Sequence, residues 1–281
     1  MELKILIDNT PSADGRLVAE HGLSLYFETG GKRCLLDTGL TGRAFDNARL
    51  MGVDIAGIDL LILSHGHIDH TGGLAAFIEL NQRAMIYASR RIMEYDYTST
   101  RRGKEHNLSP DVRLLTDHAE RFSWADESLT IDEGLALVRC TQHLHAVPCG
   151  NRYLYVARIG SQMKERYRAD DELAVTITEG EHRMILSPCS HGGMLNIIEA
   201  CEAMWGKEEY TGETWFVGGL HLLDEEAAAD NVTQLAQEVT ARYPKLRILT
   251  GHCTGEAAMD CLQEMMGERV EKMRTGLSFR L

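Results

Sequence analysis

Nowhere does this 281-residue sequence approach the ~18 to 20 consecutive apolar residues that a membrane-spanning helix needs, so no membrane role is expected. Positive charge is in short supply. The chain has 29 Lys and Arg against 42 Asp and Glu, a formal net charge of −13, which repels phosphate backbones at long range and argues against a nucleic-acid partner. Proline is scarce (5, against 26 glycines), which argues against a linker-rich array. The seven cysteines, at 34, 140, 149, 189, 201, 253 and 261, are odd in number and form no CxxC pair, so they read as reduced thiols and not as a disulfide framework. There is no Gly-x-Ser-x-Gly elbow to mark a serine nucleophile, no short-period repeat and no low-complexity tract. Met1 to Asp8 alternates and carries charge, so it reads as a strand and not as a signal peptide; a cytoplasmic protein is expected.

At 44% hydrophobic and 25% charged residues, the composition is that of a globular protein with enough chain to bury a core. Short apolar runs broken by turn signals predict strands at Leu3–Ile7, Leu23–Glu28, Arg33–Leu36, Leu60–Leu63 and Ala84–Tyr87, with helices at Thr41–Met51 and Gly73–Leu80. From about 88 to 130 the chain turns polar and weakly periodic, and reads as an inserted loop-plus-helix segment laid over the body. Strands then return at Leu135–Val138, Tyr153–Val156, Leu173–Ile177, Met184–Leu186, Thr214–Val217 and Arg247–Leu249. Helices are expected at Met194–Met204, Glu225–Tyr243 and Glu256–Met266. Each half runs strands first and helices after, which suits a single domain over 1–281 with two sheets packed face to face and helices outside.

The sharpest feature is His65-Gly66-His67-Ile68-Asp69-His70, followed by Thr71-Gly72-Gly73, at the carboxyl end of a buried strand. Alternate residues of an extended segment share a face, so His65 and His67 point one way while Asp69 and His70 turn toward a second point. Imidazole nitrogen plus carboxylate oxygen is the donor set that zinc and its neighbours favour. His191 and His252 each follow an apolar strand on the edge where ligands of an α/β sheet converge, and each lies close ahead of a helix.

With Leu36-Asp37-Thr38-Gly39, this motif resembles the metallo-β-lactamase fold hydrolases. Further stretches resemble a narrower branch, the 7,8-dihydropterin-6-methyl-4-(β-D-ribofuranosyl)-aminobenzene-5'-phosphate synthase-like proteins. They are Glu20-His21-Gly22-Leu23-Ser24, Asp171-Glu172-Leu173-Ala174, Cys189-Ser190-His191-Gly192-Gly193, Val217-Gly218-Gly219-Leu220-His221-Leu222 and Gly251-His252-Cys253-Thr254-Gly255. The resemblance implies an α/β fold of the αββα sandwich type, two mixed sheets face to face with helices outside. It also implies metals at the lip between the sheets, one held by His65, His67 and His191 and the other by Asp69, His70 and His252. One or two Zn2+ ions are implied, with Mn2+ or Fe2+ as alternatives.

One departure stands out. Where most of the wider superfamily has an aspartate bridging the metals, this chain has Pro188-Cys189, so Cys189 supplies a thiolate, or a water bridges alone, or the second site is weak. Asp37 is read as orienting a ligand histidine, and His221 as a catalytic proton shuttle beside the leaving group. Asp69 is read as a ligand that also orients the nucleophile, a water whose pKa a divalent ion lowers from about 15.7 to about 7.

For substrate binding the candidates are Arg101, Arg102, His145 and His21, with Asn9 beside them. Residues 88–113 hold six Lys and Arg against four Asp and Glu, together with Tyr95 and Tyr97, which suits a small anionic, partly aromatic substrate. The expected activity is hydrolysis of a phosphodiester or phosphoester, with an ester or lactone next in line. Synthase (transferase) chemistry of the branch type is the alternative, and a non-catalytic metal-binding protein a third. The expected partner is a small molecule; the oligomeric state is left open.

Overall fold

In a computed structural model of the chain, residues 1–206, 210–223 and 229–280 are described. Their strands form three sheets. The first has the order Ser278–Arg280 (β18), Glu2–Ile7 (β1), Ser24–Thr29 (β2), Lys32–Leu36 (β3), Leu60–Ile62 (β4), Met85–Ala88 (β5) and Phe122–Trp124 (β8). The second runs Val270–Lys272 (β17), Leu246–Thr250 (β16), Thr214–Val217 (β15), His182–Leu186 (β14), Leu173–Glu179 (β13), Leu135–Arg139 (β10) and Leu129–Asp132 (β9). Both are mixed, opening with antiparallel hairpins and turning parallel at β3–β4–β5 and at β14–β15–β16.

The two sheets face each other across one apolar layer. Leu25, Phe27, Leu36 and Ile62 of the first meet Leu137, Val175, Met184 and Val217 of the second. β4 is buried on both faces, which is why Leu-Leu-Ile reads as an unbroken apolar run. Outside the first sheet lie helices Arg43–Leu50 (α1) and Leu74–Leu80 (α3), burying Ala44, Phe45 and Phe77 against Leu35 and Leu61. Outside the second lie Met194–Trp205 (α5), Ala229–Arg242 (α6) and Glu256–Met266 (α7), whose Ile198, Val239 and Leu262 pack on Ile185, Phe216 and Ile248. The layers are therefore α, β, β, α. The expected start of α6 at Glu225 lies outside the described residues.

The segment from 88 to 130 departs from the loop-plus-helix expectation. It holds the short helix Val112–Asp117 (α4) but also β8 and two strands, Tyr95–Ser99 (β6) and His106–Asn107 (β7), of a third sheet. That sheet is completed by Leu154–Arg158 (β11) and Lys164–Arg166 (β12), so the strand expected at Tyr153–Val156 belongs to it and not to the sandwich. Its own core is Tyr97, Leu154, Tyr167 and Ala169. The period-2 signal was present in Tyr95-Asp96-Tyr97-Thr98-Ser99, but polar residues fill the alternate face. Among the described residues no helix is long and apolar enough to cross a membrane.

The parallel strands β3, β4, β14, β15 and β16 all end on one edge of the sandwich, and the turns that follow them carry Asp37, His65 to His70, Cys189 to His191, His221 and His252. The core predicts a clear contrast in stability. Phe27→Ala, at a fully buried position between the sheets, should lower the unfolding free energy by about 3–5 kcal/mol. Leu50→Ala, at a position 60% exposed, should change it by no more than about 0.5 kcal/mol; denaturant titration of both variants checks the pair.

Candidate metal centre

The loop after β4 is forced into shape by close backbone packing. His67 is the extended residue at the start of the short helix Ile68–Thr71 (α2), which then carries Asp69 and His70 inward. Glycine is required just beyond: a Cβ on Gly73 would run into the carbonyl oxygens of Thr38 and Thr41. Four non-glycine residues around this edge hold positive φ: Asp37 (61°), Ser190 (53°), His221 (50°) and His252 (53°). Each conformation costs about 1–2 kcal/mol and persists where the surroundings over-determine it.

Those surroundings are buried carboxylates that grip backbone N–H groups. Asp37 Oδ1 accepts from Ser64 N–H at 2.7 Å, and Asp8 Oδ1 accepts from His252 N–H at 2.9 Å. Asp171 Oδ2 accepts from Gly66 N–H and from the Tyr97 hydroxyl, at 2.8 and 2.9 Å. Glu172 takes His191 N–H on one oxygen and Gly192 N–H on the other, at 2.7 and 2.8 Å. Every ligand-bearing loop except that of His221 is thus tied to a carboxylate. Burial pushes Asp8 up to about 6 and Glu172 up to about 7, against the lowering effect of those same N–H donors.

The ring nitrogens are sorted by their outward partners. His70 Nδ1 lies 2.7 Å from Asp37 Oδ2. Ser64 Oγ gives its proton to Asp37 and so accepts from His65 Nδ1, at 2.8 Å. Asn151 grips His191 twice, donating to its backbone carbonyl at 2.7 Å and meeting its Nδ1 through Oδ1 at 3.1 Å. Asn9 repeats the pattern on His252, at 2.8 and 3.1 Å.

With Nδ1 engaged outward, four Nε2 atoms face one small volume, and His67 presents Nδ1 instead. His65 Nε2 and His67 Nδ1 stand 2.9 Å apart, His70 Nε2 and His252 Nε2 3.1 Å apart, and Asp69 Oδ2 lies 3.6 and 3.5 Å from the latter two. His191 Nε2 is buried with no hydrogen-bond partner. Burial lowers His65, His191 and His252 well below the ordinary imidazole range and His67 to about 4, so these rings are neutral donors of lone pairs. Burial opposes a charge on His70 as well, but Asp69 and Asp37 outweigh it and raise the ring to about 9. Asp69 is held below its usual range, burial being overcome by His70 and His252.

Ring nitrogens facing one another at such distances, four of the five rings neutral and one nitrogen orphaned, fit divalent ions, which would displace the proton that His70 otherwise holds. His65, Cys189 and His191 offer ligand atoms within 4.8 Å of one another, and so do His70, Cys189 and His252. His67 completes the first group through its contact with His65, and Asp69 the second.

The other anticipated residues divide. His21 stacks on His252 (ring centroids 5.6 Å apart) with Nε2 3.4 Å from Asp69 Oδ2, and it lines the cleft over the centre. His221 lies against His191, centroids 4.3 Å apart, with Nδ1 buried and unpartnered; burial takes it down to about 3. Arg101 and Arg102 line the same cleft from the third sheet. His145 does not. Its Nε2 bonds to Glu199 at 2.7 Å and its N–H to Asn196, both on α5, so it anchors the 140–148 loop away from the cleft. The expectation that it binds substrate is corrected on that ground.

Asn151 and the carboxylate grips of Asp8, Asp171 and Glu172 went unread in the sequence. One signal existed, an acid closing an apolar strand in Ile5-Leu6-Ile7-Asp8 just as in Cys34-Leu35-Leu36-Asp37. For Asn151, far from His191 in sequence, there was none.

Removing a ring's outward partner frees the ring to swing. Asn151→Ala should therefore weaken metal binding by about 10- to 100-fold with the fold retained, measured by chelator competition and circular dichroism. Unchanged affinity would show that Asn151 only packs.

Residues 18–147 match the model of the metallo-beta-lactamase superfamily. Across 92% of this chain and 89% of the relative, the sequence is 26% identical to the 7,8-dihydropterin-6-methyl-4-(beta-D-ribofuranosyl)-aminobenzene-5'-phosphate synthase of Methanocaldococcus jannaschii. A shorter match, 32% identical over 32% of this chain and 36% of the relative, is to a UPF0173 metal-dependent hydrolase of Staphylococcus carnosus. Among solved structures, Tm1679, a metal-dependent hydrolase of the beta-lactamase superfamily, superposes over 100% of this chain and 99% of its own with a TM-score of 0.82 at 23% identity. The short form of human tRNase Z superposes over 100% and 99% with a TM-score of 0.54 at 11% identity. Over residues 18–147 the chain is similar to the metallo-beta-lactamase superfamily, and its α/β sandwich is that of the metallo-beta-lactamase fold.

Proposed function

We propose that this protein is a metal-dependent hydrolase of a small anionic substrate, a phosphodiester or phosphoester first and an ester or lactone second. The observation that carries the reading is a cleft of about 760 Å³ whose floor includes His67, Asp69, His191, His252 and Cys189 and whose wall carries Arg101 and Arg102. Divalent ions held by His65, His67 and His191 and by Asp69, His70 and His252 would supply a nucleophile at neutral pH and polarise the electrophile's oxygen. Everything else is the work of the chain's own groups.

Asp69 Oδ2 faces both His70 and His252 on one side and His21 Nε2 on the other, and His21's side chain is 65% exposed. A proton taken up at Asp69 Oδ2 therefore has a route through His21 to solvent. His221, kept neutral by burial and by the nearby charge of Arg101 among others, serves as a hydrogen-bond donor to the leaving-group oxygen and not as an imidazolium acid. Arg101 and Arg102 hold the substrate's anionic group with charge-assisted hydrogen bonds. Ser99, His106, Asn107 and Tyr153 complete that wall.

A second reading is synthase chemistry, joining a pterin-like part to an aminobenzene ribofuranosyl phosphate. It is favoured by the match along nearly the whole chain to a relative so named. Chromogenic phosphodiesters, phosphomonoesters and lactones, assayed with added Zn2+, Mn2+ or Fe2+, separate the readings. Turnover of a phosphoester supports the first; no hydrolysis across the panel, with condensation of the two synthase substrates, replaces it with the second.

Two variants test the residue roles on the substrate that responds. Asp69→Asn keeps size and removes charge, and should cut kcat by about 10²-fold or more at saturating metal; turnover within threefold of wild type would remove Asp69 from the proton path. Arg101→Ala with Arg102→Ala should raise KM for an anionic substrate by about tenfold or more, one lost charged hydrogen bond being worth about 1.5–3 kcal/mol, while kcat changes little. An unchanged KM would place the anionic group elsewhere.

A further inference from the structure

We infer that Tyr97, on β6, and Tyr167, just past β12, are positioning residues for His67, holding by ring packing the one imidazole of the centre that no outward hydrogen bond orients. This deepens the reading of the cleft floor as a metal centre and rests on it.

Four of the five rings have a fixed outward partner: Ser64 for His65, Asp37 for His70, Asn151 for His191 and Asn9 for His252. His67 differs. It presents Nδ1 inward, 2.9 Å from His65 Nε2, and its other nitrogen makes no hydrogen bond among the described residues. Its ring also borders the cleft, so packing can hold it only from the side away from the cleft. An imidazole with no such partner is free to turn about its Cβ–Cγ bond, which carries Nδ1 away from its neighbours.

Two rings take the place of the missing partner. Tyr97 stands edge to face on His67, with centroids 5.5 Å apart and planes at 88°, and Tyr167 leans on it at 5.1 Å and 47°. Both separations lie in the range of favourable aromatic pairs. The tyrosines brace each other at 5.9 Å and 71°, and both are buried. Tyr167 also packs on His191 at 5.2 Å, so one ring steadies two donors.

The backbone on either side of His67 is fastened to the same sheet. Before it, Gly66 N–H and the Tyr97 hydroxyl share Asp171 Oδ2, and a Cβ on Gly66 would lie 2.5 Å from two carbons of the Tyr97 ring, so only glycine fits where the tyrosine covers the loop. After it, Ile68 N–H donates to Leu108 O and Leu108 N–H to Tyr97 O, both at 2.8 Å. Tyr167 N–H in turn donates to Leu154 O of β11 at 3.1 Å. The third sheet therefore sets a donor of the floor as well as a wall of the cleft. Arg101 and Arg102 stand beyond β6, on the turn to β7, so the wall can change while the tyrosines stay.

The test is chelator competition for Zn2+ alone on the full chain, with two variants of Tyr167. Tyr167→Phe keeps the ring and should bind within about threefold of wild type, whereas Tyr167→Leu keeps apolar bulk without the ring and should bind about tenfold or more weakly, its circular dichroism unchanged. A tyrosine that only packs would lower the stability of Tyr167→Leu and leave its Zn2+ affinity alone; that result overturns the inference. Equal weakening in Tyr167→Phe overturns it too, since the role would then belong to the hydroxyl. Should Tyr167→Leu fail to fold, metal-free wild type decides by carbon relaxation of the histidine rings. The order parameter of His67 should match that of His65, and a markedly lower one shows that the tyrosines do not hold the ring. No Zn2+ uptake by wild type removes the metal reading of the floor, whereas uptake that Tyr167→Leu leaves unchanged keeps that reading and removes this inference alone.

Discussion

Ring nitrogens of five imidazoles crowd into one small volume at an edge of this sandwich, two pairs of them about 3 Å apart, and burial keeps four of the rings neutral, a donor set that a cation would complete. Everything around the centre serves to hold that arrangement in place. Asn9 and Asn151 each clamp one histidine by its backbone and its outer nitrogen, Asp37 and Ser64 orient two more, and buried carboxylates pin the loops from behind. Burying a carboxylate is costly unless it is hydrogen-bonded, and here the bonds come from backbone N–H groups that the turns would otherwise leave unpaired. The ligand sphere and its supports therefore stabilise each other.

The division of labour follows the sheets. The sandwich supplies rigid strand ends, and hence the floor, while the third sheet, folded from one insertion in each half of the sandwich (β6 and β7 between β5 and β8, β11 and β12 between β10 and β13), supplies the cationic wall with Arg101 and Arg102. The histidines of the floor and the arginines of the wall stand on separate parts of the fold, which can vary separately. That separation is how one fold serves unrelated substrates.

How much could be read from the sequence depended on the range of the interaction. Strands such as Leu60–Ile62 and Thr214–Val217 were legible because both faces are buried and the apolar run is continuous. The histidine motif was legible because its spacing within six residues already implies a shared focus. β6 was missed because its polar face looks like a loop when its longer partner β11, more than fifty residues away, is out of view and its near partner β7 is only two residues long. The grip of Asn151 on His191 was invisible for the same reason. His145 misled because its place in the sequence cannot show that Glu199 on a distant helix has claimed the ring.

The carboxylate of Asp8 holds the backbone of His252, 244 residues further along the chain. A centre closed by contacts of that span cannot nucleate folding, since the entropy of closing so long a loop is lost before any local gain is made. The sandwich must come together first, bringing empty ligand loops into register, and ions arrive at a nearly finished molecule. Metal scarcity would then leave a compact apo-protein whose opening is confined to the strand-end turns, with protease sensitivity concentrated there while the sheets stay closed.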